Sequence, residues 1–225
     1  MKKFAIIVAG GFGTRMANSI PKQYMDLCGK PVLWHTLNNF VNAYSDLEIV
    51  LVVADEYRKS ATDVTNLLED SSRIVMVASG HTRYQSVKNG LEQIPFDSIV
   101  AVHDGVRCLV TTELIQSCFD KALQNGNAVP AVSVTDSVRI ISEIGNSVVD
   151  RNHVKIIQTP QIFFSNVIKK AYDQPYEDCF TDDATIVERS GTVIHLVNGE
   201  EANIKITRPV DILLAEKILQ ARGSF

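Results

Sequence analysis

The chain has few cysteines, no long apolar run and no excess of basic residues, and each shortage excludes a class of protein. Its four cysteines lie far apart among 225 residues and form no C-x-x-C pair, which indicates reduced thiols in a cytoplasmic protein. No segment approaches the roughly 20 apolar residues that a membrane-spanning helix needs. The net charge of −4 argues against a nucleic-acid-binding protein, which would show a basic surplus. We therefore expect a cytoplasmic protein that has no nucleic-acid or membrane partner.

Short apolar runs recur along the chain and are separated by helical patterns. The runs lack the polar alternation of half-exposed strands, so they predict strands covered on both faces, at Phe4 to Val8, Ile49 to Val53, Ile74 to Val77, Ile99 to Val102 and Ala128 to Val132. Between the first two runs, a helical stripe follows Pro31 and consists of Val32, Leu33, Leu37, Phe40 and Val41. The alternation predicts one α/β domain over residues 1–225. Its sheet is doubly wound and mostly parallel, with the ligand site at the carboxyl ends of the strands.

The pattern changes after Val132. Two short β-like segments, Val138 to Ile141 and Val148-Val149, flank a turn and predict a β-hairpin arm at about residues 136–152. The apolar face of the arm needs a partner, which is either a second subunit or the rest of the same domain.

The last third of the chain resumes the α/β pattern. It predicts strands at Val154 to Ile157 and Val193 to Val197, and helices from Ser165 to Tyr172, from Thr181 and from Pro209. In the last helix we expect four residues to point inward: Val210, Leu213, Leu214 and Ile218.

A glycine-rich loop, Ala9 to Met16, follows the first predicted strand directly. Its glycines allow backbone N–H groups to approach a polyphosphate closely. The loop lacks the G-K-[ST] ending of a Walker loop and the G-x-G-x-x-G spacing of dinucleotide folds, which disfavours an NAD-dependent oxidoreductase. Arg15 and Lys22 add two positive charges beside it. This combination favours nucleotidyl transfer, which is catalysed mainly by positioning and charge stabilisation.

The segment from Gly10 to Tyr24 resembles the start of the 2-C-methyl-D-erythritol 4-phosphate cytidylyltransferases. Further blocks follow in the family's order over nearly the whole chain, at Gly80 to Val87, Val102 to Arg107, Val149 to Arg151, Gln158 to Gln161, Thr181 to Ala184 and Asn203 to Pro209. The resemblance implies a Rossmann-like α/β domain with a projecting β-arm that forms a homodimer. It also implies transfer of CMP from CTP to 2-C-methyl-D-erythritol 4-phosphate, with release of pyrophosphate.

The resemblance further implies a role for each site residue. Arg15 and Lys22 would stabilise the transition state at the α-phosphorus of CTP. Lys205 would position the phosphate of the polyol substrate together with Arg151, which would come from the partner subunit. CTP would be held at Ala9, Gly10, Gly11, Gly13, Gly80, Ser86 and Gly105, and the polyol phosphate would contact Asp104, Arg107, Ser137 and Thr159. Mg²⁺ would be held mainly by the CTP phosphates, so no residue is assigned as a metal ligand.

Some positions depart from the family's usual pattern. Gly105-Val106-Arg107-Cys108 stands where Ala-Ala-Arg-Pro is usual, Ser137 stands in place of a threonine, and His81 in place of an acidic residue. Val106-Arg107 resembles the corresponding residues of ribitol-5-phosphate cytidylyltransferases, so an alditol phosphate remains the alternative substrate. A non-catalytic nucleotide-binding protein is a remote alternative, because such a protein would not need Arg15, Lys22 and Lys205 together.

Three further sites in the sequence allow both a structural and a chemical interpretation. We interpret His103, at the end of a predicted strand, as a structural histidine. We interpret Asp182-Asp183 as first-turn helix acids rather than a metal pair. Lys205 lies between Ile204 and Ile206 in a β-like run, where a solvated charge is unexpected, which favours a role at the substrate phosphate.

Overall fold

The computed structural model of the chain describes residues 1–11 and 20–223. In this part of the chain the strands are β1 (Lys2–Val8), β2 (Asp26–Leu27), β3 (Lys30–Pro31), β4 (Leu47–Val53), β5 (Ile74–Ala78), β6 (Ser98–Asp104), β7 (Asn127–Ser133), β8 (Val138–Ser142), β9 (Gly145–Val149), β10 (Lys155–Ile157), β11 (Gln161–Phe164) and β12 (Leu196–Asn198). The helices are α1 (Val32–Ala43), α2 (Arg58–Thr65), α3 (Arg83–Glu92), α4 (Thr112–Asn125), α5 (Ser165–Ala171), α6 (Asp183–Arg189) and α7 (Pro209–Ala221).

The central sheet has the strand order β10-β7-β11-β6-β1-β4-β5, with β12 beside β7. Neighbouring strands from β6 to β5 are parallel, and β12 is parallel to β7. Two strands run the other way: β11 is antiparallel to β6 and β7, and β10 is antiparallel to β7. The sheet is therefore mostly parallel, and the predicted Rossmann-like, doubly wound class is confirmed.

Both faces of the sheet are covered by helices. In β1, Phe4 and Ile6 face the layer of α3, α5 and α6, whereas Ala5 and Ile7 face the layer of α1, α2 and α4. All four residues are buried. Since each residue of the strand meets an apolar layer, the strand carries no polar alternation, which is the feature that predicted it.

The structure differs from the sequence predictions at β11 and at the start of α6. The sequence did not predict β11, which lies between β6 and β7 in the middle of the sheet. Helix α6 begins at Asp183 and is capped by Asp182, not by Thr181. The reason is that Asp182 Oδ1 accepts a hydrogen bond from the Thr185 amide at 2.8 Å, and a carboxylate is a favoured cap that also complements the helix dipole.

The predicted inward face of α7 is wrong. Val210, Leu213 and Leu214 are largely exposed. The buried residues of this helix are instead Ile212, Ala215 and Leu219, which pack in a third apolar cluster with Leu27, Val106 and Ile206, with Ile218 partly buried against it. The helix has two apolar stripes, so periodicity alone does not decide which of them faces the protein.

The predicted hairpin arm is present as β8 and β9. Its register runs from the pair Val138 and Val149 to the pair Ser142 and Gly145, and it forms a two-stranded sheet separate from the central one. Ile141 is 84% exposed and Ile144 fully exposed. The arm therefore does not bury these side chains against its own domain, which is one of the two alternatives that the sequence left open.

No helix in the described ranges is both long and apolar enough to cross a bilayer. All four cysteines are free thiols, as predicted. Cys108 and Cys118 are buried in the core, and burial raises the pKa of both thiols to about 12. Neither is therefore suited to act as a nucleophile.

Candidate active site

A cleft of about 340 Å³ opens where β1, β5 and β6 end. These strands are parallel, so their carboxyl ends lie at the same edge of the sheet. Eight of the residues predicted from the sequence line this cleft: Ala9, Gly10, Gly11, Lys22, Gly80, Ser86, Asp104 and Lys205. Residues 12–19 lie outside the described part of the chain, so the assignments of Gly13 and Arg15 stay predictions.

The loop after β1 is held by a buried glutamine. Gln23 Nε2 donates hydrogen bonds to the carbonyl oxygens of Ala9 at 2.8 Å and of Gly11 at 3.0 Å. Between them, a Cβ atom on Gly10 would lie 2.3 Å from Cβ of Ser79. Only glycine allows the ends of β1 and β5 to approach this closely.

The loop after β5 turns directly into α3. The Gly80 amide donates to Ser86 Oγ at 3.1 Å, and Ser86 Oγ donates to the Thr82 carbonyl oxygen at 2.9 Å. The Thr82 hydroxyl in turn accepts a hydrogen bond from the Gln85 amide at 3.0 Å and so caps the helix. This turn places Arg83, the first residue of α3, in the cleft wall.

Asp104, the last residue of β6, is the centre of a cluster of cations. Its carboxylate lies 2.8 Å from Lys205 Nζ, 3.4 Å from Arg83 Nε and 3.7 Å from Arg107 Nε. Burial alone would raise the pKa of Asp104. The charges of Arg83, Lys205 and Arg107 outweigh this effect and hold its pKa well below the ordinary value, so Asp104 is ionised at neutral pH.

Arg83 also forms an ion pair across the fold with Asp183 of α6. Nη1 lies 3.1 Å from Oδ1 and Nη2 lies 2.6 Å from Oδ2, and the Asp183 side chain is fully buried. Burial alone would lower the pKa of Arg83, but Asp183 and Asp104 together raise it well above its ordinary value. Asp183 is therefore the first-turn acid that the sequence predicted and also has a specific cationic partner, whereas Asp182 is the helix cap.

Lys22 and Lys205 bring two amines to the same cleft. Lys22 Nζ donates to the carbonyl oxygen of Ile206 at 2.7 Å. The predicted β-like run around Lys205 does not pair with the sheet. It is held instead by burial of Ile206 and by the hydrogen bond from the Ile206 amide to the Val106 carbonyl oxygen at 3.0 Å.

A buried polar frame lies beneath the cleft floor. Thr159 Oγ1 accepts a hydrogen bond from the Asp104 amide at 3.1 Å and lies 3.0 Å from His103 Nδ1. His103 Nε2 lies 3.1 Å from the Arg107 carbonyl oxygen, to which it must donate. Burial lowers the pKa of His103 to about 3, so the ring is neutral. The interpretation of His103 as a structural residue is consistent with these contacts.

Three other residues that the sequence assigned to ligands do not line the cleft. Thr159 is buried in the frame, and Gly105 is bonded through its amide to the Val8 carbonyl oxygen at 2.9 Å. Arg107 lies behind Asp104 and donates through Nη1 to the Asn203 carbonyl oxygen at 2.8 Å. Their positions allow them to fix the end of β6, on which Asp104 sits.

Two predicted residues lie on the arm side of the molecule, away from the cleft lining. Ser137 and Arg151 are both exposed. Arg151 donates a hydrogen bond to the Thr135 carbonyl oxygen. Neither residue is among those that line the cleft with Asp104 and Lys205.

The structure also identifies residues that the sequence reasoning did not assign. Arg83, Gln23 and Thr207 belong to motifs quoted for the family resemblance, but nothing in those motifs separates a loop anchor from a cleft residue. Asp183 is 100 residues from Arg83 in the chain, so no local pattern connects them. Among the described residues, no group of three or more His, Cys, Asp or Glu side chains is placed to hold a metal ion.

Comparisons with known proteins identify the family and agree with the fold. The sequence profile of the 2-C-methyl-D-erythritol 4-phosphate cytidylyltransferase (IspD) family matches residues 4–221. Enzymes of that name from Porphyromonas gingivalis and Bacteroides thetaiotaomicron are 43% and 40% identical to this chain, over 97% of it and over 98% and 100% of their own lengths. The crystal structure of 4-diphosphocytidyl-2C-methyl-D-erythritol synthase from Anaerococcus prevotii superposes with a TM-score of 0.83 at 29% identity, covering 97% of this chain and 98% of its own. The chain belongs to the 2-C-methyl-D-erythritol 4-phosphate cytidylyltransferase family.

Proposed function

We propose that the chain transfers CMP from CTP to 2-C-methyl-D-erythritol 4-phosphate, giving 4-diphosphocytidyl-2-C-methyl-D-erythritol and pyrophosphate. The observation that carries the proposal, beside family membership, is the cleft itself. Lys22, Arg83 and Lys205 line it together with the ionised carboxylate of Asp104. This arrangement suits two ligands that both carry phosphate, one of which also carries hydroxyl groups.

In the proposed reaction, a phosphate oxygen of the polyol phosphate attacks the α-phosphorus of CTP. A new phosphorus–oxygen bond forms, the bond from the α-phosphorus to the bridging oxygen of the β-phosphate breaks, and pyrophosphate leaves with that electron pair. Lys22 offsets the negative charge that collects around the α-phosphorus, a role the sequence also assigns to Arg15, and Lys205 positions the phosphate of the polyol substrate. The glycine-rich loop and the Gly80 turn position the nucleotide by backbone contacts.

The attacking phosphate is already ionised at neutral pH, so the reaction needs no strong general base. The described residues agree with this requirement. His103 is neutral, buried and engaged by Thr159 and the Arg107 carbonyl oxygen. Asp104 stays ionised beside three cations, which suits it to accept a hydrogen bond from a substrate hydroxyl.

Mg²⁺ belongs to the proposal as an ion held mainly by the triphosphate. Asp104 is the carboxylate that lines the described part of the cleft, and three cations surround it, so it is a poor candidate to hold a second charge alone. When bound, the ion would neutralise charge on the phosphate oxygens. Lys22 would then offset the remaining charge of the nucleotide.

A homodimer in the cytoplasm completes the proposal. The arm exposes Ile140, Ile141, Ile144 and Val148, an apolar surface that a second copy would cover. Arg151 lies on the same arm, and crossing to the partner would let it reach a phosphate there. Four free thiols suit a reducing compartment.

The test is pyrophosphate release from CTP and Mg²⁺ with 2-C-methyl-D-erythritol 4-phosphate, compared with D-ribitol 5-phosphate. Release that depends on the methylerythritol substrate supports the proposal. Preference for ribitol phosphate would assign the alternative substrate and would implicate Val106, which lines the cleft where the two groups of enzymes differ. No release with either substrate would favour a non-catalytic nucleotide-binding protein.

A further inference from the structure

The ion pair between Arg83 and Asp183 joins the first residues of α3 and α6. Nη1 of Arg83 donates to Oδ1 of Asp183 at 3.1 Å, and Nη2 donates to Oδ2 at 2.6 Å. A two-point contact of this kind fixes the plane of the guanidinium as well as its position. Since Arg83 is 28% exposed and lines the cleft, Asp183 controls the orientation of a cleft residue from a fully buried position.

The Asp183 carboxylate is itself held in place. The hydroxyl of Tyr172 donates to Asp183 Oδ1 at 2.6 Å, and the Tyr172 ring is buried and stacked on Tyr84 with a centroid distance of 4.8 Å. On the other side, the cap Asp182 fixes the start of α6. The carboxylate therefore has little freedom to follow Arg83 if the arginine turns.

This arrangement limits how Arg83 can contact Asp104. Because Asp183 takes both terminal nitrogens, Arg83 reaches Asp104 Oδ1 only through Nε, at 3.4 Å. Among the described contacts, Lys205 binds the other oxygen, Oδ2. Oδ1, whose described contact is with Arg83 Nε, thus keeps capacity to accept a further hydrogen bond.

We infer that Asp183 is a positioning residue for the polyol-phosphate substrate: it holds the two terminal nitrogens of Arg83 away from Asp104 and so leaves Asp104 Oδ1 open to a substrate hydroxyl. This inference rests on the proposed CMP transfer and deepens it. Without the Asp183 charge, the nearest carboxylate for Arg83 is Asp104. A bidentate Arg83–Asp104 pair would then compete with the substrate.

The primary test is Asp183→Asn, which keeps the shape of the side chain and removes its charge. We expect KM for the polyol phosphate to rise about tenfold or more, because the competing pair must be broken for binding, while KM for CTP changes less than about threefold. Asp120→Asn is the matched control, since Asp120 is an exposed helical aspartate of α4 that does not line the cleft. It should keep wild-type constants for both substrates.

The double variant Arg83→Gln/Asp183→Asn separates positioning from a general loss of structure. It removes both charges of the pair together, so the buried Asp183 carboxylate is not left without a cation. If Asp183 acts through Arg83, the double variant should match Arg83→Gln alone and should bind the polyol phosphate more tightly than Asp183→Asn. Should Asp183→Asn fail to fold, the comparison of Arg83→Gln with the double variant decides alone: equal constants support the inference, and a further loss overturns it.

Wild-type constants in a folded Asp183→Asn, or an effect confined to CTP, would also overturn the inference. Absence of CMP transfer in the wild-type protein would instead refute the proposed function. The two failures are therefore distinguishable in the same set of assays.

Discussion

Lys22 is the residue at which the nucleotide half of the cleft can be tested most simply. Its amine is anchored on the Ile206 carbonyl oxygen and lines the cleft beside the glycine-rich loop. We expect Lys22→Ala to lower kcat/KM for CTP by about 10²-fold, because a preorganised charge at the reacting phosphates is lost. Lys30→Ala is the control, since the Lys30 amine lies over the Trp34 ring and not in the cleft. Equal activity of the two variants would remove Lys22 from the mechanism.

His103 makes the stability of the fold depend on pH. The unfolded histidine titrates near pH 6.5, whereas in the folded protein its pKa is about 3, so between these values only the unfolded state binds the proton. The free energy of unfolding should therefore fall as the pH drops below 6.5, by about 1.4 kcal/mol per pH unit, or about 2 kcal/mol by pH 5. Urea unfolding of the wild type and of His103→Gln at pH 7 and pH 5 measures this contribution.

Comparing the variant with the wild type removes the contribution of His35. The lowered pKa of His35 changes the stability of both proteins in the same way, so it cancels in the difference between them. His103→Gln should be less stable than the wild type at pH 7 but should lose about 2 kcal/mol less between pH 7 and pH 5. An equal loss in both proteins would mean that His103 is not the group that titrates.

At this scale the sequence predicts chemistry better than contacts. Lys205 and Asp104 were assigned to the same pocket from motifs about 100 positions apart, and they lie 2.8 Å from each other. Arg107 and Thr159 come from equally specific motifs, yet they brace the strand end behind the cleft. A motif shows that a residue belongs to a site, but only packing decides whether its side chain faces the ligand or the scaffold.

The close approach of the ends of β1 and β5 shows how strand ends set the shape of the cleft. A Cβ atom on Gly10 would lie 2.3 Å from Cβ of Ser79, whereas one on Gly11 would have no neighbour within 4 Å. Gly10→Ala should therefore lower the free energy of unfolding by about 1–3 kcal/mol, because the two strand ends must separate. Gly11→Ala should change it by less than about 0.5 kcal/mol. Thermal or urea unfolding of both variants tests the contact, and equal stability would contradict it.

Strands were predictable from the sequence where burial on both faces requires an uninterrupted apolar run. The central residues of β1, β4 and β6 are apolar because helices cover both faces of the sheet, and these uninterrupted runs predicted the strands. β11 was missed because four residues, Gln161–Phe164, directly precede α5 and follow a proline, which hides so short a strand. In α7 both apolar stripes satisfy helical periodicity, and the choice of Ile212, Ala215 and Leu219 depends on Leu27 and Val106, which are distant in sequence.

In the whole molecule, the exposed arm predicts active sites that are shared between two subunits. Arg151 lies on the exposed arm and Lys205 in the cleft, so a dimer in which the arm crosses would build each site from two chains. Arg151→Ala and Lys205→Ala should each be nearly inactive alone. Coexpressed in equal amounts, they should recover about a quarter of wild-type activity, since half of the dimers are mixed and each mixed dimer has one intact site.

One arm variant and one matched control on α7 test whether the arm forms the contact between subunits. Ile141→Glu should shift the protein to a monomer in sedimentation equilibrium, whereas Leu213→Glu, at an exposed apolar residue of α7, should not. If coexpressed Arg151→Ala and Lys205→Ala chains recover no activity, Arg151 acts within its own chain or not at all.

The central claim is that the Asp104–Lys205 cluster performs CMP transfer, and one rate tests it most directly. The measurement is formation of 4-diphosphocytidyl-2-C-methyl-D-erythritol from CTP and 2-C-methyl-D-erythritol 4-phosphate by Lys205→Ala, beside Lys217→Ala. Lys217 lies on the exposed side of α7, where its amine contacts Gln220, so it controls for loss of a lysine. The account predicts that product forms about 10²-fold more slowly with Lys205→Ala and at the wild-type rate with Lys217→Ala. A wild-type rate with Lys205→Ala would contradict it.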